Sequence, residues 1–307
     1  MVYTSIYYNY KININLKLIF YFNIFIYKLN MSNTLTHNSK KDISYCRNNG
    51  DSKNGTCILP KVQKSLSKIL DIKYNENNPS ETIKQIHEKL NLNNKPEYLI
   101  LSMKIRNKLS PEDYELLKRS FKPEGPVDHT WLSNFDIQDV FKNYEFDYKD
   151  FKFLGATYND FFFYPKDKSN NQFMELQFFD IFKDKKRFGM VINHDNHGLG
   201  GSHWVGLYFD RDGHIYYFDS VGQPPLKEVK EFIQALESYF NNHNIKCITK
   251  INYHDHQHGN SECGVYSTVF LIRVIEDNEN IDYIMNTDVD DNIIHKFRHF
   301  IFNPKIN

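Results

Sequence analysis

Cysteine is scarce in this chain: there are four among 307 residues, Cys46, Cys57, Cys247 and Cys263, and no two are spaced as Cys-x-x-Cys. That spacing excludes a zinc ribbon and a thioredoxin motif. Four thiols in so long a chain do not form a disulfide framework, so free cysteines in a reducing compartment are expected. Charge of one sign is also missing. Lys and Arg number 38, as do Asp and Glu, and a balanced chain carries no electrostatic footprint for nucleic acid. Glycine is limited to 13 residues and tryptophan to two. No long apolar run is present. The apolar stretch near the start, Leu18 to Tyr27 between Lys17 and Lys28, is half of the roughly 20 residues that a spanning helix needs. Stable membrane insertion is not expected.

What is present is a foldable composition. Apolar residues make up 40% and charged residues 25%, enough for a real core and too apolar for global disorder. Asn, Lys, Ile, Tyr and Phe are heavily used, as in proteins from AT-rich genomes. Residues 1–30 combine basic residues with a short apolar stretch, but no small-residue cleavage site follows. Met31 is read as the true start. Residues 1–56 are expected to be a disordered or mis-annotated N-terminal tail, polar over 31–55, with the Asn54-Gly55-Thr56 sequon idle.

Residues 57–125 read as a helical arm. Val62, Leu66, Ile69 and Leu70 fall at helical spacing. Ser80 is a candidate cap for a helix through Ile83, Ile86 and Leu90. Ser110-Pro111-Glu112-Asp113 supplies a cap, a proline at the first position, and acids at the positive end of the dipole. Pro123-Glu124-Gly125-Pro126 breaks the chain. The boundary of the second domain, 126–307, is placed there.

Beyond it the texture is mixed. Met190-Val191-Ile192 reads as a strand, followed by a glycine-rich loop. His203 to Phe209 is a central strand, apolar on both faces. A turn at Asp210–Gly213 leads into a strand from His214 to Asp219. Pro225–Asn242 is an amphipathic helix, Ile245–Tyr253 a third strand and Gly264–Ile275 a buried helix. The fold class is α+β, with a helical domain in front.

Four residues carry chemistry. Cys263 opens the buried helix, where partial positive charge and unpaired N–H groups favour a thiolate. His203, at a strand end after the glycine-rich loop, suits a general base. Asp219 ends the next strand, where a carboxylate can fix the imidazole tautomer. Gln257, six residues before Cys263, can donate an amide N–H to an oxyanion. The bland alternatives are a buried thiol, a packed histidine, a turn-initiating Asp and a surface Gln. The ordered combination His203, Asp219, Gln257, Cys263 is stronger than any member. His254-Asp255-His256-Gln257-His258 invites a metal reading, but no fourth ligand is evident, and neither a metal nor a cofactor is expected.

These residues, with Trp204 after the histidine, Ser220 after the aspartate and Gly264 after the cysteine, resemble the SUMO-protease-like cysteine peptidases. That family includes the adenovirus protease and the polyprotein-processing proteases of African swine fever virus and other large DNA viruses. The resemblance covers about Gly125 to Phe302 and touches Asn134-Phe135, Tyr266-Ser267 and Lys296-Phe297-Arg298. It implies a papain-like α+β core, with Cys263 as nucleophile, His203 as base, Asp219 as orienting residue and Gln257 as oxyanion donor. The swine fever virus enzyme has Asn in place of Asp219, whereas the SUMO proteases have Asp. Trp131 and Trp204 fit the positions of tryptophans that clamp a Gly-Gly segment in the SUMO proteases, although the swine fever virus enzyme lacks the first of the two.

The expected function is a cysteine endopeptidase cutting protein substrates after Gly-Gly, at Gly-Gly-X sites in viral structural or core polyproteins. It would act as a monomer, in the virion and the host cytoplasm. The alternatives are a deconjugating isopeptidase for a ubiquitin-like modifier and, behind it, a Cys-dependent acyltransferase using the same covalent step.

Overall fold

The computed structural model describes residues 46–47, 56–92, 103–162, 178–276 and 280–304. The readings of residues 1–30 and of the sequon lie outside the described residues. The first elements are helices α1 (Pro60–Leu70), α2 (Pro79–Leu90), α3 (Met103–Arg106) and α4 (Pro111–Lys118). Val62, Leu66, Ile83, Ile86, Leu117 and Phe121 bury their side chains in one small core. The α4 cap is the expected one: Ser110 Oγ accepts the Asp113 N–H at 3.1 Å. The α2 cap is Asn78, which accepts from Glu81 N, and not Ser80. Pro79 takes the first helical position, where its missing N–H costs nothing, and the cap lies two residues before Ser80.

Two tail residues are not loose. Cys46 and Cys57 are joined by a disulfide, which corrects the expectation of four free thiols. Their burial at the edge of the α1–α4 core brings the two chain segments together, and spacing in sequence gave no sign of it. Arg47 is buried as well. Its Nε donates to Asp147 at 3.0 Å, its Nη1 to the Arg119 carbonyl at 2.6 Å, and its guanidinium lies over the Phe146 ring.

The catalytic region begins at strand β1 (Glu124–Gly125) and continues through α5 (Asn134–Asp147), β2 (Phe151–Tyr158) and α6 (Phe178–Asp184). Then follow β3 (Arg187–Asn193), β4 (Trp204–Asp210), β5 (His214–Phe218), α7 (Lys227–Asn242) and β6 (Ile248–Ile251). Helices α8 (Cys263–Glu276), α9 (Ile281–Asn286) and α10 (Asp291–Ile301) lead to β7 (Asn303–Pro304).

Strands β2 to β6 form one mixed sheet in sequence order. β4 is its middle strand, antiparallel to β3 and β5, while β2 and β6 run parallel to their neighbours. One face packs on α5, α8 and α10 through Phe141, Val265, Leu271 and Phe297. The other is covered by α6 and α7 through Phe182, Phe232, Leu236 and Phe240. Two-sided coverage explains why β3 and β4 are apolar throughout. β2 had no signal in the sequence. Its pairing with β3 slips between Phe153 and Gly155, and the glycine takes a φ of 128°, so polar-apolar alternation is interrupted. The Pro123–Pro126 segment is paired rather than free. Gly125 lies beside Pro304 in the β1–β7 ladder, and a Cβ there would sit 2.2 Å from the Phe302 ring.

The bridge closes a loop across a sequence separation of 11 residues, which constrains the unfolded chain by about 2–3 kcal/mol. Replacing both Cys46 and Cys57 with Ser is expected to lower the unfolding free energy of the α1–α4 region by that amount, read as a lower denaturant midpoint. Alkylation of the unfolded, non-reduced protein should count two thiols, Cys247 and Cys263.

Candidate active site

The site forms where three chain segments meet at one end of the central sheet. His203 immediately precedes β4, Asp219 immediately follows the antiparallel β5, and Cys263 is the first residue of α8. Ser267, one turn into α8, donates from Oγ to the Trp204 carbonyl at 2.9 Å. This bond fixes the helix against the start of β4 and so brings the cysteine to the histidine.

His203 Nε2 donates to Asp219 Oδ1 at 2.7 Å, and the Cys263 side chain lies near enough to act on the charge of the same imidazole. Burial opposes charge on the ring. The bond to Asp219 and the neighbouring Cys263 outweigh it and push His203 up to about 9. Asp219 is fully buried. Its Oδ1 also accepts the Val221 N–H at 2.9 Å, and Asn252 holds its backbone carbonyl.

Ser220 connects this carboxylate to Gln257. Its carbonyl accepts the backbone N–H groups of His256 and Gln257 at 2.8 and 2.9 Å, and its Oγ donates to Gln257 Oε1 at 2.8 Å. Gln257 Nε2 donates one proton to the Gly259 carbonyl at 2.8 Å, and an amide nitrogen carries two. The carboxylate that faces His203 and the amide of Gln257 are therefore anchored by one dipeptide, Asp219-Ser220.

Cys263 is itself buried, less open than a cleft nucleophile suggests. Around it, Trp204 donates from Nε1 to the Leu132 carbonyl at 3.0 Å. A Cβ at Gly264 would meet both Leu132 and Trp204 at 3.2 Å, so a side chain there would crowd the passage beside the thiol. A cavity of about 280 Å³ opens alongside, lined by Trp131, Leu132, Tyr158, Gly201 and Trp204 among others. Trp131 is 53% exposed, so it belongs to this surface and not to the core.

The sequence reading missed a second network beneath the cysteine. Glu262 Oε2 accepts from Arg298 Nε at 2.8 Å, and its Oε1 accepts from Ser261 Oγ. His129 and His295, stacked with ring centroids 3.9 Å apart, reach the same Oε1 through Nδ1 at 3.1 and 3.2 Å. Arg298 has no exposed surface, and its remaining donors reach the carbonyls of Pro126, Thr130 and Ser261. An arginine within the apolar stripe Ile294, Phe297, Ile301 was the available signal. Burial alone would raise Glu262, but the Arg298 bond and the two histidines hold it below the usual carboxylate range. The rings of His254 and His256 meet edge to face with centroids 4.7 Å apart, but their nitrogens take different partners. His254 pairs with Asp288, while buried His256 donates to the Met285 carbonyl at 3.1 Å.

Residues 129–303 match the Ulp1 protease family, C-terminal catalytic domain. The chain belongs to this family of cysteine proteases. A protein of Acanthamoeba polyphaga mimivirus, provisionally named a thiol protease, is 32% identical over 197 residues, spanning 61% of this chain and 62% of that one. The chain thus aligns with less than two thirds of that relative. A SUMO-1 cysteine protease of African swine fever virus is 25% identical over 267 residues, 80% of this chain and 91% of that one. The crystal structure of the African swine fever virus protease superposes with a TM-score of 0.61 at 21% identity, covering 88% of this chain and 98% of that one. The papain-like α+β fold is thereby shared.

Breaking a buried ion pair by removing one partner costs about 3–5 kcal/mol. Glu262→Gln is expected to lose stability on that scale in denaturant unfolding at pH 7. Because Glu262 is depressed in the folded state, its contribution is present above the unfolded carboxylate range and lost as pH falls through the folded value. The variant and wild type should therefore converge in stability toward acid pH.

Proposed function

We propose that the chain is a cysteine endopeptidase that cuts viral structural polyproteins after Gly-Gly. The observation that carries this reading is the imidazole of His203, bonded to buried Asp219 and set beside Cys263 at a helix start. The imidazolium stabilises a Cys263 thiolate, which attacks the scissile carbonyl. The negative oxygen that develops is received by the backbone N–H of Cys263, free at the first position of α8, and by the second Nε2 proton of Gln257. His203 gives its proton to the leaving amine, and the acyl-enzyme thioester forms. Water then attacks as His203 takes its proton, releasing the new carboxyl end and the thiol.

The surroundings support a Gly-Gly substrate. Trp204, Leu132 and Gly264 leave little room beside the thiol, with exposed Trp131 lining the same cavity as Trp204 and Leu132, and a narrow passage discriminates by rejecting Cβ atoms. The substrate is a protein, the enzyme needs no cofactor and acts as a monomer, and its setting is the virion and the host cytoplasm. Deconjugation of a ubiquitin-like modifier is the second reading, favoured by the name of the African swine fever virus relative.

Wild type is expected to release a Gly-Gly carboxyl end from short Gly-Gly-X peptides, read by mass spectrometry, and Cys263→Ala to release none. Gln257→Ala should retain cleavage but lose about 10²–10³ in kcat. Cleavage confined to a folded modifier fusion would select the second reading, and turnover by Cys263→Ala would end both. The ion pair is lost as pH rises through the His203 value of about 9, so kcat/KM should fall with an alkaline limb near there.

A further inference from the structure

Two polar atoms in this site face each other without a bond. Asp219 Oδ1 accepts from both His203 and Val221. Its Oδ2 is buried and accepts no hydrogen bond among the described residues. At 3.9 Å lies Nε2 of His194, also buried and also without a hydrogen-bond partner. Buried polar atoms left unpaired are costly and uncommon, and a facing donor and acceptor that a small side-chain rotation would join are a specific arrangement.

His194 is firmly held. Its backbone N–H donates to the His203 carbonyl at 2.9 Å, and the two rings meet edge to face with centroids 4.8 Å apart. The loop that follows is tied at both ends. Asn193 Oδ1 accepts from the N–H groups of Asp195 and Ser202, and the Asp195 carboxylate accepts from Gly201 N and Ser202 Oγ.

The geometry points to His194 as a positioning residue that shares the Asp219 carboxylate with His203. Its neutral Nε2–H turns onto Oδ2 and draws charge away from Oδ1, limiting how tightly the carboxylate holds a proton on His203. This inference deepens the triad reading and depends on it.

The need for such a device follows from the second half of the reaction. Once the acyl-enzyme forms, His203 must be neutral to accept a proton from water. A fully buried carboxylate acting through a single bond favours the charged ring and makes it a poor base near neutral pH. A second donor on that carboxylate moderates its pull. The charged and titratable groups facing His194 are His203 beside β4, Asp219 after β5 and Asp195 on its own loop. Burial first, and then His203, hold His194 below the usual histidine range, so it is a neutral donor at neutral pH.

The test is an NMR titration of the His203 ring in the full chain carrying Cys263→Ala, where the thiolate no longer contributes. The resonance is assigned by its loss in His203→Gln. His194→Phe is expected to raise the His203 pKa by about one unit, roughly tenfold in proton affinity. His194→Gln, which keeps an N–H donor, should raise it much less. His194→Leu is measured in parallel and replaces the Phe variant if that one does not fold. In chains with Cys263 intact, the pH of half-maximal deacylation should move upward with the same variants. An unmoved His203 in both apolar variants, or a Gln variant that shifts as far as they do, would overturn the proposal. Asp219→Asn in the same background separates the two levels: if it fails to lower His203, the triad assignment itself is at fault.

Discussion

The Arg298 guanidinium, buried without exposed surface, is the constraint on which the active-site end of the molecule depends. A buried charge persists only with a partner of opposite sign and a full set of acceptors. Arg298 finds these in Glu262 and in the carbonyls of Pro126, Thr130 and Ser261. Each belongs to a different part of the site. Glu262 and Ser261 lead directly into Cys263. Pro126 and Thr130 fix the segment that presents Trp131 and Leu132. The arginine sits on the C-terminal helix, so residues nearly 170 positions apart are held in one arrangement.

A second organising feature is economy of position at the end of β5. Asp219 faces His203 while the next residue, Ser220, anchors the Gln257 amide and two backbone N–H groups. Antiparallel pairing of β4 and β5 brings 203 and 219 to the same end of the sheet, and the Ser267–Trp204 bond draws in the helix carrying the cysteine. Imidazole, carboxylate and amide are thus held by hydrogen-bonded backbone, the arrangement that preorganised electrostatics requires. The distal arm is coupled to the same body. Arg47 and Arg119 reach α5 through Asp147 and Asn143, and the opposite end of α5 begins two residues beyond Leu132.

Much of this was legible in the sequence, for identifiable reasons. Strands β3 to β5 and helices α7 and α8 announced themselves through apolar runs and periodicity, because both sheet faces are covered and the helix faces are wide. The placement of β4 at the sheet's centre followed from its two apolar faces. The residues at positions 203, 219, 257 and 263 were individually ambiguous but informative in order, and the fold juxtaposes Cys263, His203 and Asp219. Strand β2 escaped because a slip at Gly155 breaks the alternation. The α2 cap was misplaced because Pro79 takes the position after Asn78. The Cys46–Cys57 bond was missed because closeness there is created by tertiary packing of the arm, which cysteine spacing does not encode. Glu262, Arg298 and His194 act through partners far along the chain, and a carboxylate or an imidazole has no local pattern that reveals such a partner.

The central claim is that Cys263 is a nucleophile armed by His203 and Asp219. The most direct measurement is covalent trapping with a short peptide ending in Gly-Gly vinyl sulfone, followed by intact-mass analysis and peptide mapping at neutral pH. Cys247 is a second, more exposed free thiol in the same molecule and serves as an internal control. The account predicts one adduct, on Cys263, formed far faster than any on Cys247 and suppressed by His203→Ala. Equal labelling of both cysteines, or labelling of Cys263 that is indifferent to His203→Ala, would contradict it.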